Sequence, residues 1–141
     1  MTKRIPGIAW VGLILCTVLI FSDIKGCSIG AAPPFKTDKL SVLVVEESAA
    51  HGTYTPDQLN VIQATDANSV KIKVESKGGR FHVIDKDVTP DKLTLAPPWV
   101  APAFEAAKGK PPPWAVGATP SRGFSAPVTT ESDLLSKVGG L

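Results

Sequence analysis

From Ile5 to Phe21 the chain runs for 17 residues without a charge, directly after Lys3 and Arg4 and directly before Ser22-Asp23. As a helix rising about 1.5 Å per residue, such a run covers roughly 25 Å, the short end of what crosses a bilayer. Positive charge ahead of it predicts a cytoplasmic N-terminus at residues 1–4 and export of everything that follows. Three readings compete. An uncleaved signal anchor over residues 5–21 is favoured, because the run is long for a signal-peptide core and carries Trp10. A cleaved signal peptide would use Ser28-Ile29-Gly30 as its small-residue processing site. A lipoprotein signal would end at Gly26-Cys27-Ser28, with Ile24 at the −3 position, but Asp23 and Lys25 stand where that motif has small or apolar residues. All three place the remainder in the periplasm or outside the cell.

About 100 residues then remain, enough for one modest core. The 15 basic and 13 acidic side chains are interspersed, for a net charge of +2, and no basic stripe forms, so nucleic acid is not an expected partner. Thirteen prolines, eight of them clustered at Pro33-Pro34, Pro97-Pro98, Pro102 and Pro111-Pro112-Pro113, favour short elements with stiff connections. Cys16 lies within the apolar run and reads as a small apolar residue. Cys27 has no second thiol beyond the membrane segment to pair with. It is read as a free thiol in a linker, with lipid attachment or an intermolecular disulfide as the sharper alternatives.

Residues 22–38, rich in Ser, Gly, Ala and Pro, read as a flexible tether, and the domain proper as 39–141. Leu40 to Val45 is a valine-rich strand suited to burial on both faces. Thr55-Pro56-Asp57-Gln58 predicts a helix start with a capping box. Val70 to Val74 alternates like a strand but leans to helix on the overall order. After Gly78-Gly79, Phe81–Asp85 reads as a second strand. A turn follows near Thr89-Pro90, and Val100–Lys108 reads as a helix ended by Gly109. Trp114–Ala118 and Gly123–Val128 are the third and fourth strands, Pro127 suiting the fourth to an edge. Thr130 and Asp133 predict a second capping box before the last helix. Strands alternating with helices imply parallel pairing in the first part, and the short link around Ser121-Arg122-Gly123 implies an antiparallel hairpin.

This β-α-β-α-β-β-α order, with Pro113-Trp114-Ala115-Val116 at the third strand, resembles the thioredoxin fold. Pro112 to Gly140 carries most of the resemblance, Leu40 to Val45 supports it, and it covers residues 39–141. With its anchor, the chain is also similar to membrane-tethered thioredoxin-like proteins of bacteria and their phages. The resemblance implies an α/β sandwich, a cis peptide bond at Pro113, and a last helix packed over the sheet. Redox-active members carry Cys-x-x-Cys after the first strand, where a helix N-terminus stabilises the thiolate. The matching stretch here, Glu46 to Gly52, has no cysteine, so thiol–disulfide exchange is not expected.

Other chemistry is weakly signalled. His51 and His82 lack the cysteine cluster of a zinc motif. Asp85, Asp87 and Asp91 are spaced like a calcium loop, but Pro90 and Ala96 stand at its glycine and glutamate positions, so they read as turn residues. Glu46 and Glu47 point to opposite faces and read as a charged rim. Ser48 and His51 have no evident orienting acid. Trp99 and Trp114 read as packing residues, with a partner-binding surface as the alternative. No catalytic, cofactor or metal site is expected. The favoured function is a non-catalytic, membrane-tethered thioredoxin-like domain that contacts a protein partner or acts as a scaffold, anchored in the bilayer by residues 5–21. An exported enzyme using carboxylates at the strand ends is the rival. A phage-type envelope protein is a third reading, although the exported part is too rich in strand and proline for the helical rod of an inner-membrane spanin.

Overall fold

A computed structural model describes residues 30–141. The apolar run, Cys16 and Cys27 lie outside the described residues, and among those described no helix is long and apolar enough to cross a membrane.

The described chain is a mixed α/β domain. Strand β1 (Ser41–Glu46) leads through a 3-10 helix (Ser48–Thr53) to helices α1 (Pro56–Ile62) and α2 (Ser69–Ser76). Strand β2 (Arg80–Asp85), helices α3 (Pro90–Leu95) and α4 (Val100–Ala107), the hairpin β3 (Trp114–Ala118) and β4 (Gly123–Pro127), and helix α5 (Glu131–Gly139) complete it. The four strands form one sheet in the order β2-β1-β3-β4. Only β1 and β2 are parallel, while β3 runs antiparallel to both its neighbours. Burial explains the central place of β1: all six of its residues are buried, as a strand covered on both faces requires.

Each face of the sheet carries its own core. Val42 and Val44 face Val61, Val70, Val74, Leu134 and Val138, which belong to α1, α2 and α5. Leu43 and Val45 face Trp99, Val100, Ala103 and Trp114, under α4. The alternation along one six-residue strand therefore builds both layers.

Local signals set several boundaries. At α1, Gln58 N–H donates to Thr55 Oγ1 at 3.2 Å and Thr55 N–H donates to Gln58 Oε1 at 2.9 Å, a complete capping box. At α5 only half of the expected box forms. Thr130 Oγ1 accepts from Asp133 N–H at 3.1 Å, but the Asp133 carboxylate takes Thr129 Oγ1 and the Lys137 ammonium instead of the cap backbone. Val70–Val74 is helical, and its apparent alternation is resolved by burial of Val70 and Val74, four apart on one helix face. The 3-10 helix and α3 lie where the sequence shows only a loop and a turn; neither buries a residue, so neither has an apolar pattern to reveal it.

The domain begins earlier than residue 39. Ala31 bridges to Gly123, whose N–H donates to Ala31 O at 2.9 Å. Pro33 and Pro34 close over Gly123 so tightly that no side chain fits there. Phe35 is 6% exposed and stacks on Trp99 with ring centroids 6.4 Å apart. Asp38 pairs with Arg80, and Thr37 Oγ1 accepts from the same guanidinium at 3.0 Å. The tether read at 22–38 is thus docked from Ala31 onward, held by one buried aromatic and the apolar rings beside it.

Candidate functional site at the carboxyl ends of β1 and β2

The parallel register sets Glu46 beside Asp85 at the ends of β1 and β2. On the other side, Val45 faces Trp114, which brings Glu46 level with Pro113, and the Pro112–Pro113 bond is cis. Carboxyl ends of parallel strands are where open α/β folds place ligands.

Glu46 is the hub. Its period-2 position turns it towards the face of Val42 and Val44, and the residue is 7% exposed, so it is not part of a charged rim. A buried carboxylate needs partners, and the 3-10 helix supplies them. Ser48 Oγ donates to Glu46 Oε1 at 2.8 Å, and His51 Nε2 lies 2.6 Å from Glu46 Oε2. The tight helix after β1 curls the chain back, so residues two and five positions on reach the same carboxylate. The His51 side chain stays 45% exposed and is therefore open to solvent beside a buried acid. Its ring lies 5.8 Å from that of Tyr54, whose hydroxyl accepts from Glu47 N–H at 3.0 Å. Burial pushes the Tyr54 phenol up, and the neighbouring acids Glu46, Glu47 and Asp85 add to it.

Asp85 closes the other side. Its Oδ2 accepts from Ser48 N–H at 2.9 Å and its Oδ1 from Asp87 N–H at 2.7 Å. Hydrogen bonding from Ser48, side chain first and then backbone, together with the Asp87 N–H, holds its carboxyl below the usual range. The Ser48 hydroxyl has one proton and two carboxylates to offer it to; the 2.8 Å contact is to Glu46. Glu47 points away from Glu46 and, with Asp87, flanks the Lys86 ammonium at 3.4 and 3.3 Å. Those contacts, Asp87 first, raise the Lys86 pKa.

The arrangement can orient an imidazole and accept or donate protons at its surface. It does not aim a serine nucleophile at that imidazole: Ser48 and His51 meet only through Glu46. The orienting acid that the sequence did not show is Glu46, hidden because its position at a strand end looked solvent-facing. A signal for it was present, since Glu46 continues the period-2 series Val42-Val44 onto a buried face.

The remaining candidates are elsewhere. Trp99 and Trp114 are 7% and 8% exposed core residues, so they offer no exposed partner surface, and packing is their role. The Arg80 guanidinium lies 5.4 Å from the Trp99 ring, and the Lys110 ammonium the same distance from the Trp114 ring, which donates Nε1–H to Ser125 Oγ at 2.9 Å. His82 does not face open solvent. It is half-buried, edge-on to Trp99 at 6.4 Å, and burial lowers its pKa. Asp91 lies in the first turn of α3, apart from Asp85 and Asp87. Among the described residues no group of three or more His, Cys, Asp or Glu is placed to hold a metal ion. Compared with protein-family models, curated proteins and solved structures, the chain finds no match.

Proposed function

We propose that the chain is a membrane-tethered, thioredoxin-like domain that has no dithiol chemistry and uses the carboxyl end of its sheet to contact a protein partner. The family reading is supported by the strand order β2-β1-β3-β4 with cis-Pro113 immediately before β3. The observation that carries the functional reading is the Glu46–Ser48–His51 cluster. It stands at the end of β1 and in the turn directly after it, where redox members of the family have their dithiol, and level with that proline. A buried acid that holds a half-exposed imidazole in place presents a fixed polar contact to a partner without a nucleophile.

A photo-crosslinking residue at Ala49, in the full chain in its native membrane, tests this. The expected result is a discrete protein adduct that Glu46→Ala or His51→Ala abolishes while circular dichroism stays unchanged. The absence of any adduct from positions 47–52, or turnover of a model disulfide by the purified chain, refutes it. The 2.6 Å Glu46–His51 contact also favours a second reading, an exported enzyme using that pair as acid and base. A hydrolytic activity lost with Glu46→Gln, which keeps the shape and removes the charge, would select it.

A further inference from the structure

The other end of the sheet gathers five cations that the sequence scatters. β1 and β2 begin there, the β3–β4 turn closes there, and α5 ends there. The links are explicit: Ser41 pairs with both Arg80 and Ala118, and Ala118 with Gly123. Thr119 N–H donates to Arg122 O at 2.8 Å, Arg122 reaches Gly140 O at 3.4 Å, and Lys77 Nζ donates to Val138 O at 3.1 Å. Lys36, Lys39, Lys77, Arg80 and Arg122 therefore share one end with the acids Asp38 and Glu75. Arg80 is paired with Asp38, and Lys77 and Arg122 each donate to a carbonyl at the end of α5; Lys36, Lys39, Lys77 and Arg122 are exposed. The opposite end carries Glu46, Glu47, Asp85 and Asp87, with Lys86 between Glu47 and Asp87 and Lys110 over the Trp114 ring.

The chain also leaves the domain at this basic end. Ala31 is pinned to Gly123 beside the β3–β4 turn, so the residues before it emerge there. Docking of 31–38 leaves only residues 22–30 between the domain and the apolar run ending at Phe21. Nine residues reach at most about 30 Å when fully extended. With the apolar run anchored, a leash this short keeps the basic end, where the chain leaves the domain, within about 30 Å of the bilayer.

We propose that this end, through Lys36, Lys39 and Arg122, docks on the anionic headgroups of the bilayer that carries the anchor, so that the Glu46–His51 end faces outward. The inference rests on the anchored reading above. Each Lys or Arg near an anionic leaflet favours the docked state by about fivefold. The attraction extends about one Debye length, roughly 8 Å at physiological salt, so it acts only once the leash has brought the surfaces together.

The test uses the full chain in nanodiscs of phosphatidylcholine alone or with phosphatidylglycerol mixed in, read by hydrogen–deuterium exchange. The expected result is at least about fivefold slower exchange at Ser121 and Arg122 in the anionic discs, with Lys86–Val88 unchanged. Added salt or the variant Lys36→Gln/Lys39→Gln/Arg122→Gln should remove the difference. Equal exchange in both discs, slowing at Lys86–Val88 instead, or slowing that survives the triple variant overturns the proposal. Carbonate extraction reads the anchor separately. If the chain extracts, its sedimentation with phosphatidylglycerol vesicles still decides the matter. Binding that the triple variant abolishes supports the basic end as the contact, and no binding overturns it.

Discussion

Phe35→Ala is the sharpest test of where this domain begins. Phe35 is 6% exposed, stacks on Trp99 with an interplanar angle of 25°, and sits in the core that covers Leu43, Val45 and Val116. Truncating a buried phenylalanine costs about 3–5 kcal/mol. The lower end applies in a fragment starting at Ala31, because there residues 31–38 are a terminal segment that can lift away and leave no enclosed cavity. For the 112 described residues, an unfolding entropy near 2.1 cal/mol/K per residue converts about 3 kcal/mol into a fall in Tm of about 13 °C. Thermal unfolding of a fragment starting at Ala31, followed by far-ultraviolet circular dichroism, measures it. The emission of Trp99 should shift to the red as its stacking partner disappears. A fragment starting at Lys39 should fall by at least as much as the point variant. A loss of less than about 3 °C in either protein would mean that the docked segment contributes little and that the compact domain starts at Lys39 after all.

Two further outcomes follow from particular contacts. A Cβ added at Gly117 would run into the fully buried ring of Phe124 on the paired strand, so Gly117→Ala should cost about 1–3 kcal/mol by urea denaturation; an unchanged midpoint would show that this ring has room to move. His82 gives a pH dependence. Its folded pKa is held below the ordinary value of about 6.5 by burial, so the unfolded chain takes up the proton first as pH falls. Its contribution is complete above about pH 6.5 and declines below it, until the folded imidazole is protonated too. The denaturation midpoint should therefore drop between about pH 7.5 and about pH 5.5, and His82→Gln should flatten that drop. An identical slope in the variant would place the titrating group elsewhere.

Much of the architecture was legible because it rests on local signals. The continuous apolar run of β1, the Thr55–Gln58 box, the Gly78-Gly79 break and the edge-strand Pro127 each act within a few residues, and each element lies where they put it. What resisted was whatever carries no apolar pattern. The 3-10 helix and α3 bury nothing, so periodicity is silent about them. The full capping box at α5 failed because Thr129 and Lys137 take the Asp133 carboxylate.

The candidate site and the domain boundary belong to a different level. Sequence alone determined that an uncharged run precedes a small α/β domain, and that no cysteine follows β1, since composition and period-2 or capping patterns are properties of neighbouring residues. Only the tertiary structure decided that Glu46 is buried and binds Ser48 and His51, that Asp85 reaches Ser48 from 37 residues away, and that Phe35 belongs to the core. It also decided that Lys36, Lys39, Lys77, Arg80 and Arg122 share one end of the sheet. The physical reason is common to all of these. A side chain's burial and charge neighbours depend on what the sheet register brings beside it, and register is a pairing between distant segments that no single segment encodes.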